Sequence, residues 1–396
     1  MIGSDTFGPD INGAAKFTAQ LAAGLARRGH SVTVVAPAAD SSEVGYGSEL
    51  HEGEIIAVHR LKSSRLRSYP WVRFARPWFA SRSAARILDD LQPDLVHHQS
   101  HIIVGRALIR HARKRGLPVV GTNHLMPENV VDAAGIPSVL RALVVRYLWR
   151  SARRSFLRSD VVTTPTRIAA EYLSKSAGIE DVRAISCGTD VGAFLPQPAL
   201  SSSTDLVYVG RLSKEKNLEV LIRAFSHLDS RLGATLSILG DGDELQCLQD
   251  LVVELGLQST VTFFGATPQV VLRHRLSMGV AFVMPSTAEL QSIATLEAMA
   301  SGLPIIAARA MALPHLVDHG VNGYLFTPGD EDDLARRLEQ ILTLPGAEYL
   351  AMKAASLELV REHGIERTIE QFEGIYRTLL DSRKASPTSP ASPNGV

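Results

Sequence analysis

The chain has 396 residues, of which 45% are hydrophobic and 21% charged, and this ordinary globular composition fits two domains better than one. Lys plus Arg and Asp plus Glu both number 41, and a net charge of zero argues against a general nucleic-acid-binding protein. The two cysteines, Cys187 and Cys247, do not have the spacing of metal ligands, and no apolar run is long enough to span a bilayer.

Strands and helices are predicted to alternate along the whole chain. Runs rich in β-branched residues predict strands at 31–36, 54–58, 94–97, 118–122, 161–164, 206–210, 235–240, 261–265, 280–284 and 304–308. Helical periodicity falls between them, for example at 14–28, 218–227 and 334–342. This alternation indicates parallel sheets with right-handed crossovers. Only residues 1–4 precede the loop that starts at Asp5, so the first strand is either very short or begins upstream of Met1.

One segment divides the chain into two comparable series of strands and helices. Residues 194–205 are rich in Pro and Ser and carry no charge before Asp205. We therefore predict an N-terminal domain at 1–198 and a C-terminal domain at 199–365. The Pro- and Ser-rich tail at 382–396 is predicted to be disordered.

Two segments of the C-terminal half have residues suited to a phosphorylated ligand. Arg211 and Lys216, in VGRLSKEKNLEVLIRAF, follow a predicted strand and precede a helix, which is the ligand-facing edge of an open α/β sheet. Two cations there suit a diphosphate, although a solvated loop has the same composition. Another helix is predicted to begin near Ser292 or Ile293, and its free backbone N–H groups could receive phosphate oxygens.

Glu297 is an unusual residue in that second helix. It is the only charged residue between Glu289 and Arg309, in a segment that is small or apolar from Ile293 to Ala300. A carboxylate at this edge can accept hydrogen bonds from the vicinal hydroxyls of a ribose, and Glu289 would then face the sugar beyond the phosphates. The alternative is a buried glutamate paired with an arginine.

The pattern Glu289-x7-Glu297 resembles the E-x7-E motif of retaining glycosyltransferases in the large family four. Residues 8–35, 209–225 and 302–330 also resemble that family, and the resemblance extends to about residue 380. It implies an α/β GT-B fold, in which two Rossmann-like, doubly wound domains face a cleft. It also implies a C-terminal helix at 366–381 that crosses back to the N-terminal domain.

The resemblance further implies a role for each matching residue. Glu297 would bind the donor ribose, Glu289 the donor sugar, and Arg211 with Lys216 the departing diphosphate. Gly13 would let the backbone approach the phosphates, and His124 would lie beside the acceptor. Ser292 stands where many relatives have Gly, and it keeps the N–H that, with that of Ile293, can bind phosphate.

The implied reaction moves a hexose from a nucleotide diphosphate to a hydroxyl group with retention of configuration. The cations and the helix start would stabilise the leaving diphosphate, so neither a divalent metal nor another cofactor is expected. Asp241-Gly-Asp243 spells a DxD sequence, but its position in a turn that enters a helix disfavours a metal site. We expect front-face attack, in which the leaving phosphate takes the acceptor proton and His124 positions or polarises the acceptor.

Two basic, aromatic segments suggest the kind of acceptor. Eight basic and no acidic residues lie between Glu54 and Asp89, and the candidate membrane contacts among them and their aromatic neighbours are Trp71, Arg73, Arg76 and Trp78. Residues 140–158 are again basic and aromatic, and all three tryptophans fall in these two segments. This composition is typical of surfaces that lie on anionic membranes, although an ordinary solvated face remains an alternative.

We therefore expect a lipid acceptor, diacylglycerol or a related glycerolipid, at the cytoplasmic face of the cell membrane. The NHLMPEN segment also resembles the glycolipid-forming branch of the family. Two alternatives remain open: the same chemistry on a soluble acceptor, and a protein that binds sugar nucleotides without turnover. No nucleic-acid partner is expected.

Overall fold

The computed structural model describes residues 1–10, 12–66, 69–133, 136–194, 196 and 203–385; the side chains of residues 65–66, 69–72, 130 and 132–133 are not described. The first half contains β1 (Ile2–Gly3), α1 (Gly13–Arg27), β2 (Thr33–Pro37), β3 (Gly45–His51), β4 (Glu54–Leu61), β5 (Ser63–Leu66), β6 (Tyr69–Ala75), α2 (Pro77–Leu91), β7 (Val96–His98), α3 (Val104–Lys114), β8 (Val119–Thr122), α4 (Pro127–Ala133), α5 (Ser138–Phe156), β9 (Val161–Thr164), α6 (Arg167–Ala177) and β10 (Val182–Ala184).

The second half has the same alternation of strand and helix. It contains β11 (Asp205–Val209), α7 (Leu218–Ser226), β12 (Thr235–Leu239), α8 (Leu245–Glu254), β13 (Val261–Gly265), α9 (Gln269–Met278), β14 (Ala281–Met284), α10 (Ile293–Ala300), β15 (Ile305–Ala308), β16 (Gly323–Phe326), α11 (Glu331–Leu342), α12 (Gly346–Val360) and α13 (Ile365–Ala385).

Each half is built on a largely parallel sheet. The first sheet has the order β10-β9-β8-β7-β1-β2-β4-β3, and the second has the order β13-β12-β11-β14-β15-β16. Within these two sheets, every pairing of the described strands is parallel except that of β3 with β4. β1 and β11 each lie where the strand order reverses, and in doubly wound sheets the crevice at the carboxyl end of that strand binds ligands. The fold is the expected α/β fold with two Rossmann-like sheets.

The C-terminal helix α13 packs on the first half. Phe372 is fully buried, and its ring centroid lies 5.9 Å from that of Phe17 on α1. A Cβ at Gly24 of α1 would lie 2.0 Å from Ile369 Cδ1, so only glycine allows this approach of the two helices. Arg28 Nη1 donates to Glu373 Oε2 at 2.8 Å. The last helix therefore shares a core with the first.

The sequence-based predictions differ from the structure in the last helix and in several strands. The helix predicted at 366–381 continues to Ala385, so the disordered tail predicted from 382 is wrong for 382–385, and residues 386–396 lie outside the described part. Strands β10 and β16, at the edges of the two sheets, were not predicted. Strands β3, β5 and β6 were not predicted either, and they add an antiparallel edge and a separate two-stranded ribbon to the first half. Both additions involve exposed or basic residues rather than the apolar runs that predict a buried strand.

Candidate functional site

Two helix N-termini meet between the sheets. Asn12 caps α1 because its Oδ1 accepts from Ala15 N at 2.9 Å, and Ser292 caps α10 because its Oγ accepts from Thr295 N at 3.3 Å. A Cβ at Gly13 would lie 3.8 Å from Ile293 Cδ1, so the first residues of the two helices face each other. Their N–H groups and helix dipoles make this place favourable for an anion.

Glu297 is buried one turn into α10 and is bound by a residue of the other half. Lys16 Nζ of α1 forms an ion pair with Glu297 Oε1, and Gln269 Nε2 donates to the same oxygen at 3.1 Å. Glu297 is 3% exposed, whereas the Lys16 side chain is 23% exposed. The alternative of a buried glutamate with a basic partner is therefore correct for this structure, but the partner is Lys16 and not an arginine.

Glu289 has its own cation. Lys216 Nζ lies 2.5 Å from Glu289 Oε1, and both side chains are mostly buried. The Glu289 carbonyl accepts from Ala312 N at 3.1 Å, which fixes the backbone of the loop. Arg211 is nearly half exposed, and its guanidinium lies 3.6 Å from Glu215 Oε1. The structure therefore brings Lys216 to Glu289 and leaves Arg211 at the rim.

The loop that carries Glu289 is held by residues of the first half. Thr166 Oγ1 donates to Leu290 O at 3.0 Å, and Cys187 N donates to Gln291 Oε1 at 2.7 Å. The Leu290 side chain packs in a small buried cluster with Met126. These contacts place the carboxylate of Glu289 in a loop that both halves define.

We did not identify Lys16, Gln269 or Gln291 as site residues from the sequence. The charge pattern around Lys16, however, indicates that it has a partner. Lys16 is the only charged residue of α1 before Arg27, just as Glu297 is the only charge in α10. Two isolated and opposite charges on apolar helices predict a mutual pair once the helices are known to be neighbours. The sequence alone does not place the two helices side by side.

His124 follows β8 and lies on the side of the first sheet. Its Nε2 lies 2.8 Å from Gln99 Oε1, and its Nδ1 lies 4.0 Å from the Cys187 thiol. Burial lowers the pKa of His124 to about 3, so the ring is neutral near pH 7. A neutral imidazole in this position can accept or donate a hydrogen bond but carries no charge.

The residues expected at a membrane do not all lie on the surface. Trp78, in the first turn of α2, is 81% exposed, and Arg76 is also exposed, with its Nε donating to Ser64 Oγ at 3.0 Å. Arg73 is partly buried. The side chain of Trp71 lies outside the described residues. Trp149 is buried and donates from Nε1 to Glu128 Oε1 at 3.0 Å. The prediction that it lies at a membrane interface was therefore wrong.

An apolar ridge that the sequence did not single out is exposed at the start of α5. Val139 is 86% exposed, Leu143 66% and Tyr147 61%. The spacing of four residues places these three side chains on one face of the helix. We call Val139, Leu143 and Tyr147 the α5 ridge.

In the ranges that the structure describes, no group of three or more His, Cys, Asp or Glu side chains is placed to hold a metal ion. Asp241 and Gly242 form a tight turn against Leu212, whose N–H donates to Asp241 O at 3.0 Å. No described helix is both long and apolar enough to cross a bilayer.

Known proteins resemble the chain over most of its length. It is 26% identical to the alpha-monoglucosyldiacylglycerol synthase of Streptococcus pneumoniae over 93% of this chain and 84% of the relative. It is also 26% identical to the sulfoquinovosyl transferase SQD2 of Arabidopsis thaliana over 78% of this chain and 62% of the relative. The D-inositol 3-phosphate glycosyltransferase of Saccharomonospora viridis is 28% identical over 94% and 90% of the two chains.

Solved structures and family models agree on the fold. Sucrose-phosphate synthase from Thermosynechococcus elongatus superposes with a TM-score of 0.81 at 21% identity, over 96% of this chain and 99% of the other. Anabaena HepE in complex with UDP-glucose gives 0.75 at 18% identity, over 95% and 99%. The model "Glycosyltransferase Family 4" matches residues 11–192, and "Glycosyl transferases group 1" matches residues 196–357. The chain therefore belongs to the GT-B glycosyltransferases, with a family 4 domain followed by a group 1 domain.

Proposed function

We propose that the protein moves a hexose from a nucleotide-diphosphate sugar to a membrane lipid, diacylglycerol or a related glycerolipid. The transfer retains the anomeric configuration, requires neither a divalent metal nor another cofactor, and takes place at the cytoplasmic face of the cell membrane. The donor part of this proposal is supported by the paired carboxylates at the meeting helix N-termini, and the acceptor part by the α5 ridge.

The donor would lie along α10. Glu297 would accept hydrogen bonds from the ribose hydroxyls, and the diphosphate would lie at the N–H groups of Ser292 and Ile293 beside Gly13. Lys216 and the exposed Arg211 lie on the loop that follows β11. Together they would stabilise the negative charge that develops on the leaving diphosphate, the charge that a metal ion neutralises in other enzymes.

The surroundings of Glu289 favour a sugar ligand over a nucleophile. Its carboxylate is bound by Lys216 and has little exposed surface, and pairing with a cation makes a carboxylate a weaker nucleophile. We therefore favour front-face attack, with the proton of the acceptor hydroxyl passing to the leaving phosphate and His124 polarising that hydroxyl. The "alpha" product in the name of the pneumococcal relative is consistent with retention.

The α5 ridge is the main observation that supports a lipid acceptor. Exposed apolar side chains at helical spacing, on a segment with arginines and no acidic residue between 133 and 159, suit the interface of an anionic bilayer. Trp78 is a second exposed aromatic of the same half. The name of the pneumococcal relative, an alpha-monoglucosyldiacylglycerol synthase, supports this acceptor class.

A soluble acceptor is the second candidate, and the inositol-phosphate relative favours it. Flotation with phosphatidylglycerol vesicles separates the two. The wild-type protein should float, and Val139→Glu with Leu143→Glu should stay at the bottom. Val270→Glu, which changes a residue of α9 that is 73% exposed, is the matched control and should float. Failure of the wild-type protein to float, or turnover of soluble acceptors only, would refute the lipid proposal.

A further inference from the structure

One edge of the His124 ring contacts a buried amide. Gln99, one residue beyond β7, is 1% exposed, and its Oε1 lies 2.8 Å from His124 Nε2. A carbonyl oxygen only accepts hydrogen bonds, so Nε2 must carry the hydrogen in this contact. A neutral imidazole has a single N–H, and therefore Nδ1 of His124 carries the lone pair.

The surroundings of Gln99 fix the orientation of its amide. Gln99 Nε2 lies 3.2 Å and 3.4 Å from the two ring nitrogens of His97. Those nitrogens already have other partners, Tyr376 Oη at 2.6 Å and Thr122 Oγ1 at 2.7 Å. The amide nitrogen therefore lies against the ring, where an N–H is attracted to the π face and a carbonyl oxygen is repelled. The other end of the amide, Gln99 Oε1, therefore accepts the hydrogen bond from His124 Nε2.

Two titratable groups that the structure describes beside His124 are uncharged near neutral pH. They are His97, behind Gln99, and Cys187, whose thiol lies 4.0 Å from Nδ1. Burial lowers the pKa of His97 well below its usual range and raises that of Cys187. Another described neighbour is the apolar ring of Phe17, whose centroid lies 5.1 Å from that of His124. No charge in this group favours an imidazolium, so the hydrogen bond from Gln99 decides where the single proton of His124 resides.

We propose that Gln99 is a positioning residue that holds His124 as the Nε2–H tautomer, so that Nδ1 can exchange its weak contact with the Cys187 thiol for a hydrogen bond from the bound acceptor hydroxyl. During transfer the hydroxyl gives up this hydrogen bond and its proton passes to the leaving phosphate. This rests on the proposed function, in which His124 polarises that hydroxyl. Gln99 does not touch the substrate. It acts through His124, and α13 supports it by holding the ring of His97.

Nitrogen NMR of the whole protein tests the tautomer without any substrate. With ¹⁵N-labelled histidine, the His124 signals, identified by their loss in His124→Ala, should show protonation at Nε2. Gln99→Leu should shift the population toward the Nδ1–H form. Ser159→Ala is the matched control, because it removes the hydroxyl 2.9 Å from the neighbouring buried His98 and should leave His124 unchanged.

Kinetics test whether the tautomer matters for transfer. Gln99→Leu should lower kcat about tenfold with little change in donor KM, as is common when a hydrogen bond to a functional histidine is removed. Gln99→Glu keeps an acceptor at Nε2, but its charge stabilises the imidazolium and should raise the pKa of His124 by about 1–3 units. Its kcat should then fall on the acidic side, at about pH 4–6, where the wild-type profile stays level.

The outcomes distinguish this proposal from the function on which it rests. A wild-type Nδ1–H tautomer, or an unchanged tautomer in Gln99→Leu beside an inactive His124→Ala, overturns only the assignment to Gln99. A changed tautomer with unchanged kcat in both Gln99 variants also overturns it. Full activity in His124→Ala refutes the role of His124 itself, and the proposal with it.

Discussion

Replacing Lys16 by Met should tighten nucleotide binding. In the free protein Lys16 Nζ occupies Glu297 Oε1, the carboxylate proposed for the ribose, and a bound ribose would replace it. The Lys16 side chain is already 23% exposed and can turn to solvent, while Glu297 stays buried. Removing Lys16 therefore raises the free energy of the free protein and leaves that of the complex nearly unchanged. The dissociation constant for the nucleotide should fall.

The size of the effect follows from the burial of the pair. Exposed ion pairs contribute up to about 1 kcal/mol, and breaking a fully buried pair costs about 3–5 kcal/mol. A pair with one buried and one partly exposed partner lies between these limits, at about 1–2 kcal/mol. Lys16→Met should thus lower Kd for a nucleoside diphosphate by about 5–30-fold.

Calorimetric titration with UDP, GDP and ADP measures this change. Lys175→Met is the matched control, because Lys175 and its partner Glu171 are both strongly exposed, and its Kd should equal that of the wild type. On a Glu297→Gln background, Lys16→Met should change Kd by less than about twofold, since the carboxylate is gone. A Kd that rises in Lys16→Met would mean that Lys16 contacts the nucleotide, and the displacement argument would be wrong.

The two glutamates and one buried histidine give further predictions. Glu297→Gln should weaken nucleoside diphosphate binding about tenfold, because charged hydrogen bonds contribute about 1.5–3 kcal/mol and Lys16 already offsets part of this. Glu289→Gln should lower kcat about 10²–10³-fold and change the affinity for the nucleoside diphosphate, measured by titration, less than about threefold. Equal and small effects of the two glutamate substitutions would contradict the assigned roles. Burial lowers the pKa of His101 to about 3, so the unfolded chain takes up its proton below pH 6.5 and stability falls as the pH drops from there toward 3. We expect the free energy of unfolding, measured with urea, to fall between pH 7.0 and pH 5.5 by about 1 kcal/mol less in His101→Leu than in the wild type. The control His274→Leu, which changes an exposed histidine, should lose as much as the wild type.

Local pattern was sufficient to predict the framework of the fold. The strands predicted at 161–164 and 261–265 coincide with β9 and β13, because short β-branched runs between turns leave little choice of position. The helix start near residue 293 followed from a small, apolar run after a strand, and Ser292 is its cap. Alternation of strand and helix then indicated two parallel sheets without any knowledge of contacts.

Long-range partners could not be predicted in the same way. The pair of Lys16 with Glu297 joins residues 281 positions apart, and only the packing of α1 beside α10 creates it. Trp149 and Tyr147 belong to one basic, aromatic helix, yet one is buried against Glu128 and the other is 61% exposed. Composition describes a whole segment, whereas the face that each side chain occupies depends on the neighbouring elements.

The two carboxylates of the site differ in what holds them, and this difference affects how the cleft works. Lys216 and Glu289 both belong to the second half, so their ion pair persists if the halves separate. Lys16 belongs to the first half, so its pair with Glu297 exists only while α1 lies beside α10. Opening the cleft therefore breaks the ion pair of Glu297, the carboxylate proposed to bind the ribose. It leaves Glu289, the carboxylate proposed to bind the donor sugar, paired with Lys216. A nucleotide that binds Glu297 replaces one contact between the halves with its own contacts to both helix N-termini, so donor binding and closure are coupled through Glu297.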